Sequence, residues 1–172
     1  LGTAQPAITL SNNVAAATSV TMTVTLTPAT YAMPIGGMVR ITLSGDGLAL
    51  QMPRYSSEEG SYANATFISP PGATGRATFY YTELRVTVYS GNFAANATII
   101  FTISGFTNPT AAQGARANIQ AATLRSRNDW EPLDQSWTGT YPAIVLPANN
   151  LGASQPAITL SNVNAAATSV TM

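Results

Sequence analysis

Residues 19–27 read SVTMTVTLT, and the fold class turns on this stretch. Val20, Met22, Val24 and Leu26 alternate with Thr21, Thr23, Thr25 and Thr27. Successive side chains of an extended chain point to opposite faces, so the pattern predicts a strand with one apolar face in a core and one hydroxyl face outward. Wound into a helix, the same residues would scatter around the axis and leave no apolar stripe. The β-branched Thr and Val also favour the extended form.

The same period of two recurs outward from this stretch. Val39, Ile41 and Leu43 alternate with Arg40, Thr42 and Ser44, and Gly45-Asp46-Gly47 then supplies a hairpin-turn composition before a return strand over 48–52. Residues 65–69 and 77–81 read as strands on either side of the loop SPPGATG at 69–75. Leu84, Val86 and Val88 alternate with Arg85, Thr87 and Tyr89, and the near-continuous apolar run at 97–104 suits a central strand ended by residues 105–109. Residues 111–124 are rich in Ala, which favours helix, but Gly114 and the short run 117–124 favour a loop followed by a strand. Residues 143–146 read as the last strand. Eight or nine short strands separated by turns predict an all-β chain, expected as an antiparallel, Ig-like β-sandwich without the Cys pair of antibody domains.

A second signal is a repeat. Residues 1–22, LGTAQPAITLSNNVAAATSVTM, return at 151–172 as LGASQPAITLSNVNAAATSVTM. The two copies differ only at 3/153, 4/154, 13/163 and 14/164, the last two being an exchange of Asn and Val. A gapless match of this length predicts a unit of 1–150 followed by a segment, 151–172, that either opens the next repeat or acts as a strand donor to a neighbouring subunit. Strand donation rests on main-chain hydrogen bonds with alternate side chains in pockets, and a head-to-tail contact that does not close generates a filament. The matching inter-subunit set is Ile158, Leu160, Val170 and Met172, equivalent to Ile8, Leu10, Val20 and Met22.

Composition removes much chemistry. The 172 residues are 45% hydrophobic but only 8% charged, against about 25% in typical domains. All seven basic residues are Arg, seven acids balance them, and Cys and His are absent. The chain therefore offers no thiol nucleophile, imidazole base, Lys Schiff base or Cys/His zinc site. Zero net charge without a basic run argues against nucleic acid as a partner. No apolar run is long enough for a membrane-spanning helix, so membrane insertion is not expected. Glu58 and Glu59 are adjacent and Glu83 stands apart, so no carboxylate pair is selected for acid–base work. No enzyme activity and no cofactor are expected.

The densest polar segment is RSRNDWEPLDQSWT at 125–138. Its Trp130 and Trp137 would stack on a sugar face, and Asp129 and Glu131 flank the first of them, so this loop is a candidate interaction surface, for a glycan or a subunit. With Asp134 the two acids also offer oxygen ligands, but the spacing is not that of a calcium loop, and no metal is assigned. The plainer reading is a long loop that closes one end of the fold, its acids paired to Arg125 and Arg127. Two N-x-[ST] sequons, at Asn64 and Asn96, together with the Pro70-Pro71 loop, are candidate glycosylation sites. A chain so poor in charge needs another means of protecting sheet edges, and covalent glycan supplies one.

The period of about 150 residues, the Thr-rich strands and the segment TIIFTISGFTNPTAAQ at 98–113 resemble repeats of large extracellular surface proteins of microalgae and other aquatic microbes. Some of these build glycosylated fibrils or mastigoneme-like hairs from Ig-like domains. The resemblance implies a structural subunit of an extracellular, cell-surface filament, a helical assembly whose partners are covalent glycans and copies of itself. The alternative from another class is a carbohydrate-binding adhesin module acting through the Trp130/Trp137 loop.

Overall fold

The computed structural model describes residues 6–28, 30–43, 62–80, 83–129 and 131–147. They form nine strands: β1 (Ala7–Leu10), β2 (Val20–Leu26), β3 (Met38–Thr42), β4 (Tyr62–Ser69), β5 (Thr74–Tyr80), β6 (Glu83–Ser90), β7 (Ile99–Phe106), β8 (Arg116–Leu124) and β9 (Asp134–Tyr141). The alternation of residues 19–27 is realised as expected: Val20, Met22, Val24 and Leu26 are at most 1% exposed, whereas the intervening Thr residues are half-buried. The Ala-rich 111–124 stretch yields a strand, β8, and not a helix.

The all-β class stands, and the described strands form a closed barrel that is not clearly divided into the two sheets of a sandwich. The strands close into one barrel in the order β1-β2-β7-β4-β5-β6-β3-β8-β9. Neighbours pair antiparallel except β1 and β9, which run parallel. Alternation dictates which face of each strand turns inward, and a sandwich and a barrel bury the same faces. What separates them is whether edge strands find partners. Here β1 bridges β2 to β9, and the β4-β5-β6 meander bridges β7 to β3.

Two further expectations change. Residues 143–146 are not the last strand: Ile144 and Val145 make only isolated bridges, to Gln113 and Val14. Among the described residues the last strand is β9, which begins inside the segment read as a loop, because Ala121, Ala122 and Thr123 of β8 pair with Ser136, Gln135 and Asp134. The hairpin at Gly45-Asp46-Gly47 and the return strand 48–52 lie outside the described residues.

The barrel interior is filled by side chains. Phe67 packs edge-on against Phe93, with ring centroids 5.2 Å apart, and tilted against Phe101 at 5.4 Å. Small residues make room for them. A Cβ on Gly75 would lie 2.9 Å from the Phe67 ring and 2.7 Å from the Thr87 carbonyl oxygen. Alternation of large and small residues is how a narrow barrel fills its taper. On the outer face, hydroxyls pair across strands: Thr21 with Ser104 at 3.0 Å, Thr27 with Thr98 at 3.3 Å and Thr74 with Ser90 at 2.8 Å.

Tyr141, at the end of β9, is 1% exposed, and its buried hydroxyl has no hydrogen-bond partner. Burial pushes that hydroxyl well above the ordinary phenol range. The native state therefore keeps its proton where the unfolded chain loses it, near pH 10, so this group's contribution to stability falls as pH rises above that value. Tyr141→Phe removes the unpartnered hydroxyl. Stability at neutral pH is expected to stay level or rise by about 1 kcal/mol, and the alkaline loss of stability to shrink. Urea midpoints of both proteins at neutral pH and above pH ~10 check this, and a midpoint lowered at neutral pH would show that the hydroxyl is satisfied.

Candidate functional site

Of the segment that is duplicated in the sequence, 1–22, residues 6–17 occupy a defined slot, and Val20 and Met22 belong to β2. Along one side β1 pairs with β2 in the register Ala7↔Thr25, Ile8↔Val24, Thr9↔Thr23 and Leu10↔Met22. Along the other, Ala7 pairs with Thr140, and the Thr140 N–H donates to the Pro6 carbonyl at 2.9 Å. Pro6 is buried against Gly139, where a Cβ would lie 2.9 Å from Pro6 Cγ and 2.7 Å from the Ile119 carbonyl oxygen. Only glycine allows that approach. Ile8 is 4% exposed and joins the core, with Leu10 packed beside it. Burying Ile8 contributes about 1.5–3 kcal/mol.

The turn after β1 is held mostly through main-chain groups. Ser11 and Thr21 exchange two bonds, Ser11 N–H to the Thr21 carbonyl and Thr21 N–H to Ser11 Oγ, each 2.9 Å. The Ala15 N–H donates to the Val145 carbonyl at 2.7 Å, and the Val145 N–H to the Asn13 carbonyl at 2.9 Å. Asn108 clamps the turn from β7's end. It is 1% exposed, and its Nδ2 donates to the carbonyls of Asn12 at 2.9 Å and Val14 at 2.8 Å, while its backbone N–H donates to the Ala17 carbonyl at 2.9 Å. From sequence, Asn108 reads only as part of a strand-ending Asn-Pro. Its clamp spans 96 residues along the chain, a separation that carries no local signal.

The polar segment after β8 divides. Asp134, grouped in the sequence with Asp129 and Glu131, is 6% exposed and turned inward, its carboxylate accepting from the backbone N–H groups of Thr30 at 3.1 Å and Tyr31 at 3.3 Å. That ties the 30–31 turn to β9 and separates Asp134 from the other two acids. Asp129 and Glu131 line an open depression of about 560 Å³ with Tyr31, Arg125, Asn128 and Leu133. Among the described residues no three acidic side chains gather as a metal site. Trp137 falls within β9, and Trp130 lies outside the described residues. Glu83 is bonded to Arg85 of its own strand.

The glycosylation candidates are on the surface. Asn64 is exposed on β4, opposite Arg76 of β5, and Asn96 is exposed in a turn with φ 59°. Pro71 is exposed at the β4–β5 turn and Pro70 half-buried. Ile158, Leu160, Val170 and Met172 lie outside the described residues. Glu58 and Glu59 do as well. Comparison with known protein families, curated proteins and solved structures finds no match to this chain.

Asn108→Ala removes the side-chain donor of the Asn12 carbonyl and leaves the Val14 carbonyl with only the longer bond from the Ala17 N–H, at 3.2 Å. The expected cost is about 1–3 kcal/mol, with amide exchange accelerated first at Ala15 and Ala16. Hydrogen exchange resolved by residue checks this. An even acceleration over the whole barrel would mean that Asn108 does not act as a local clamp.

Proposed function

We propose that this chain is a structural subunit of an extracellular, glycosylated filament, joined head-to-tail by β-strand complementation or by tandem repetition. One observation carries the reading. Residues 6–12, PAITLSN, fill the slot between β2 and β9, and residues 156–162 repeat them without a change. Pro156, Ile158 and Leu160 thus match the slot as Pro6, Ile8 and Leu10 do. The exchanged pair at 163/164 falls where the slot is read largely through backbone: Asn13 accepts from Val145 and Val14 from Asn108 at their carbonyls. The donated copy forgoes the bond from Asn13 Nδ2 to the Ala143 carbonyl.

A closed barrel leaves no edge to extend, so a donated segment replaces β1 and does not add beside it. Each chain's second copy then occupies the next chain's slot, a heterologous contact that propagates. The parallel pairing of β1 with β9, and the neighbour orders β1-β2-β7 and β3-β8-β9, also support the finer Ig-like reading, in which strands A, B and E share one side and C, F and G the other. Glycan at the outward Asn64 and Asn96, or on the Pro70-Pro71 turn, adds solubility that eight per cent of charged residues does not supply. The cell surface is the compartment that such a coated filament implies.

Removing residues 151–172 tests the assembly. The full chain is expected to form concentration-dependent oligomers by analytical ultracentrifugation and fibres in negative stain, and the shortened chain to remain a folded monomer. Equal polymerisation of both would exclude strand complementation. Separately, native material is expected to carry glycan mass on peptides containing Asn64 or Asn96. Unmodified Asn at both sites would remove the N-linked coat.

A further inference from the structure

In a chain with so few cations, their placement is informative. Four of the six arginines among the described residues, Arg40, Arg76, Arg85 and Arg127, converge on the outer face of β3, β5 and β6. Register explains the convergence. Arg40 of β3 sits directly opposite Arg85 of β6, and Arg76 of β5 sits opposite Thr87, two residues along β6 from Arg85 on the same face. The turn after Leu124 then lays Arg127 and Asn128 over this surface. The result is an open groove of about 420 Å³, continuous with a small recess where Arg40 meets Arg127 and Asp129.

Like charges directly opposite on neighbouring strands destabilise a sheet. Glu83 relieves one of them, at 2.6 Å from Arg85 Nη2. Arg40, Arg76 and Arg127 make no ion pair among the described residues, and Arg40 Nε is buried without a hydrogen-bond partner. Among the described residues two carboxylates, Glu83 and Asp129, stand against these four guanidinium groups, an excess of positive charge on a protein of zero net charge. The Arg76 guanidinium carbon lies 4.4 Å from the centroid of the Tyr62 ring, a cation–π contact. The planar N–H forks of guanidinium groups match the paired oxygens of sulfate and carboxylate.

We propose that this groove and the recess beside it bind an anionic polysaccharide, its sulfate or carboxylate groups held by Arg76 and Arg127 in the groove and by Arg40 in the recess. The rest of the lining suits sugar. Thr78, Thr87 and Asn128 present hydroxyl and amide groups to ring hydroxyls, and Tyr89, 54% exposed at the rim, offers a flat face for stacking. Nucleic acid fits less well, because four arginines without a surrounding basic field neutralise too few phosphates for stable binding. The site belongs to one barrel and does not depend on the filament reading.

The test uses the full chain and immobilised dextran sulfate, polygalacturonate and neutral dextran. Both anionic polymers are expected to bind, more weakly as salt rises, and neutral dextran is not. Comparing the two distinguishes sulfate from carboxylate as the preferred group. Arg40→Gln and Arg127→Gln are each expected to lower affinity by about tenfold, the scale of one charge-assisted hydrogen bond. Arg76→Gln, at an exposed position, should do the same without disturbing the fold, whereas Arg116→Gln, outside the groove, should leave binding unchanged. Retention of neutral dextran, equal binding by the Arg76→Gln and Arg127→Gln proteins, or tighter binding of single-stranded DNA than of either polysaccharide would overturn the proposal.

Discussion

The inner edge of β2 and the outer edge of β9 are joined by one short strand, and the closure of the barrel depends on it. β1 contributes four paired positions to β2 and a single one to β9, secured by the bond from the Thr140 N–H to Pro6 and by the bare backbone of Gly139 under the proline ring. Unpaired backbone groups at a sheet edge are both costly when buried and sticky when exposed. Closure by β1 removes that liability at the seam. The seven residues that fill the seam, 6–12, are also the ones that the sequence repeats unchanged at 156–162.

The turn behind β1 shows how such a seam is kept closed with few charges. The Asn108 side chain reaches two carbonyls across a gap in sequence of more than ninety residues, and Asp134 uses its carboxylate on two backbone N–H groups at 30 and 31. Both are buried polar side chains spent on main-chain groups, which is the usual fate of polar atoms inside a fold. Four of the six arginines among the described residues lie together on one outer face, with the carboxylates of Glu83 and Asp129 beside them.

Much of this architecture was legible along the chain. The Thr/Val alternation at 19–27 predicted β2 down to the inward residues, and the apolar run at 97–104 predicted the central strand β7. Strand β9 was not legible, because DQSWTGTY lacks a clean apolar period and forms by pairing to β8. Nor was the separation of Asp134 from Asp129 and Glu131. Five residues of sequence spacing say nothing about which carboxylate turns inward when a strand begins between them.

By itself the sequence determined the all-β class, the inward face of most strands, and the existence of a second copy of the first strand. These are local or self-referential properties: a period of two, a run of turn residues, a string compared with itself. Only the tertiary structure decided that the sheet closes, that the duplicated strand is the one that closes it, and that Arg76, Arg85 and Arg127 share a groove with Arg40 in the recess beside it. Each depends on which strands are neighbours and in what register. Pairing between strands far apart in the chain is fixed by the packing of the whole barrel and leaves no mark in any short stretch of sequence.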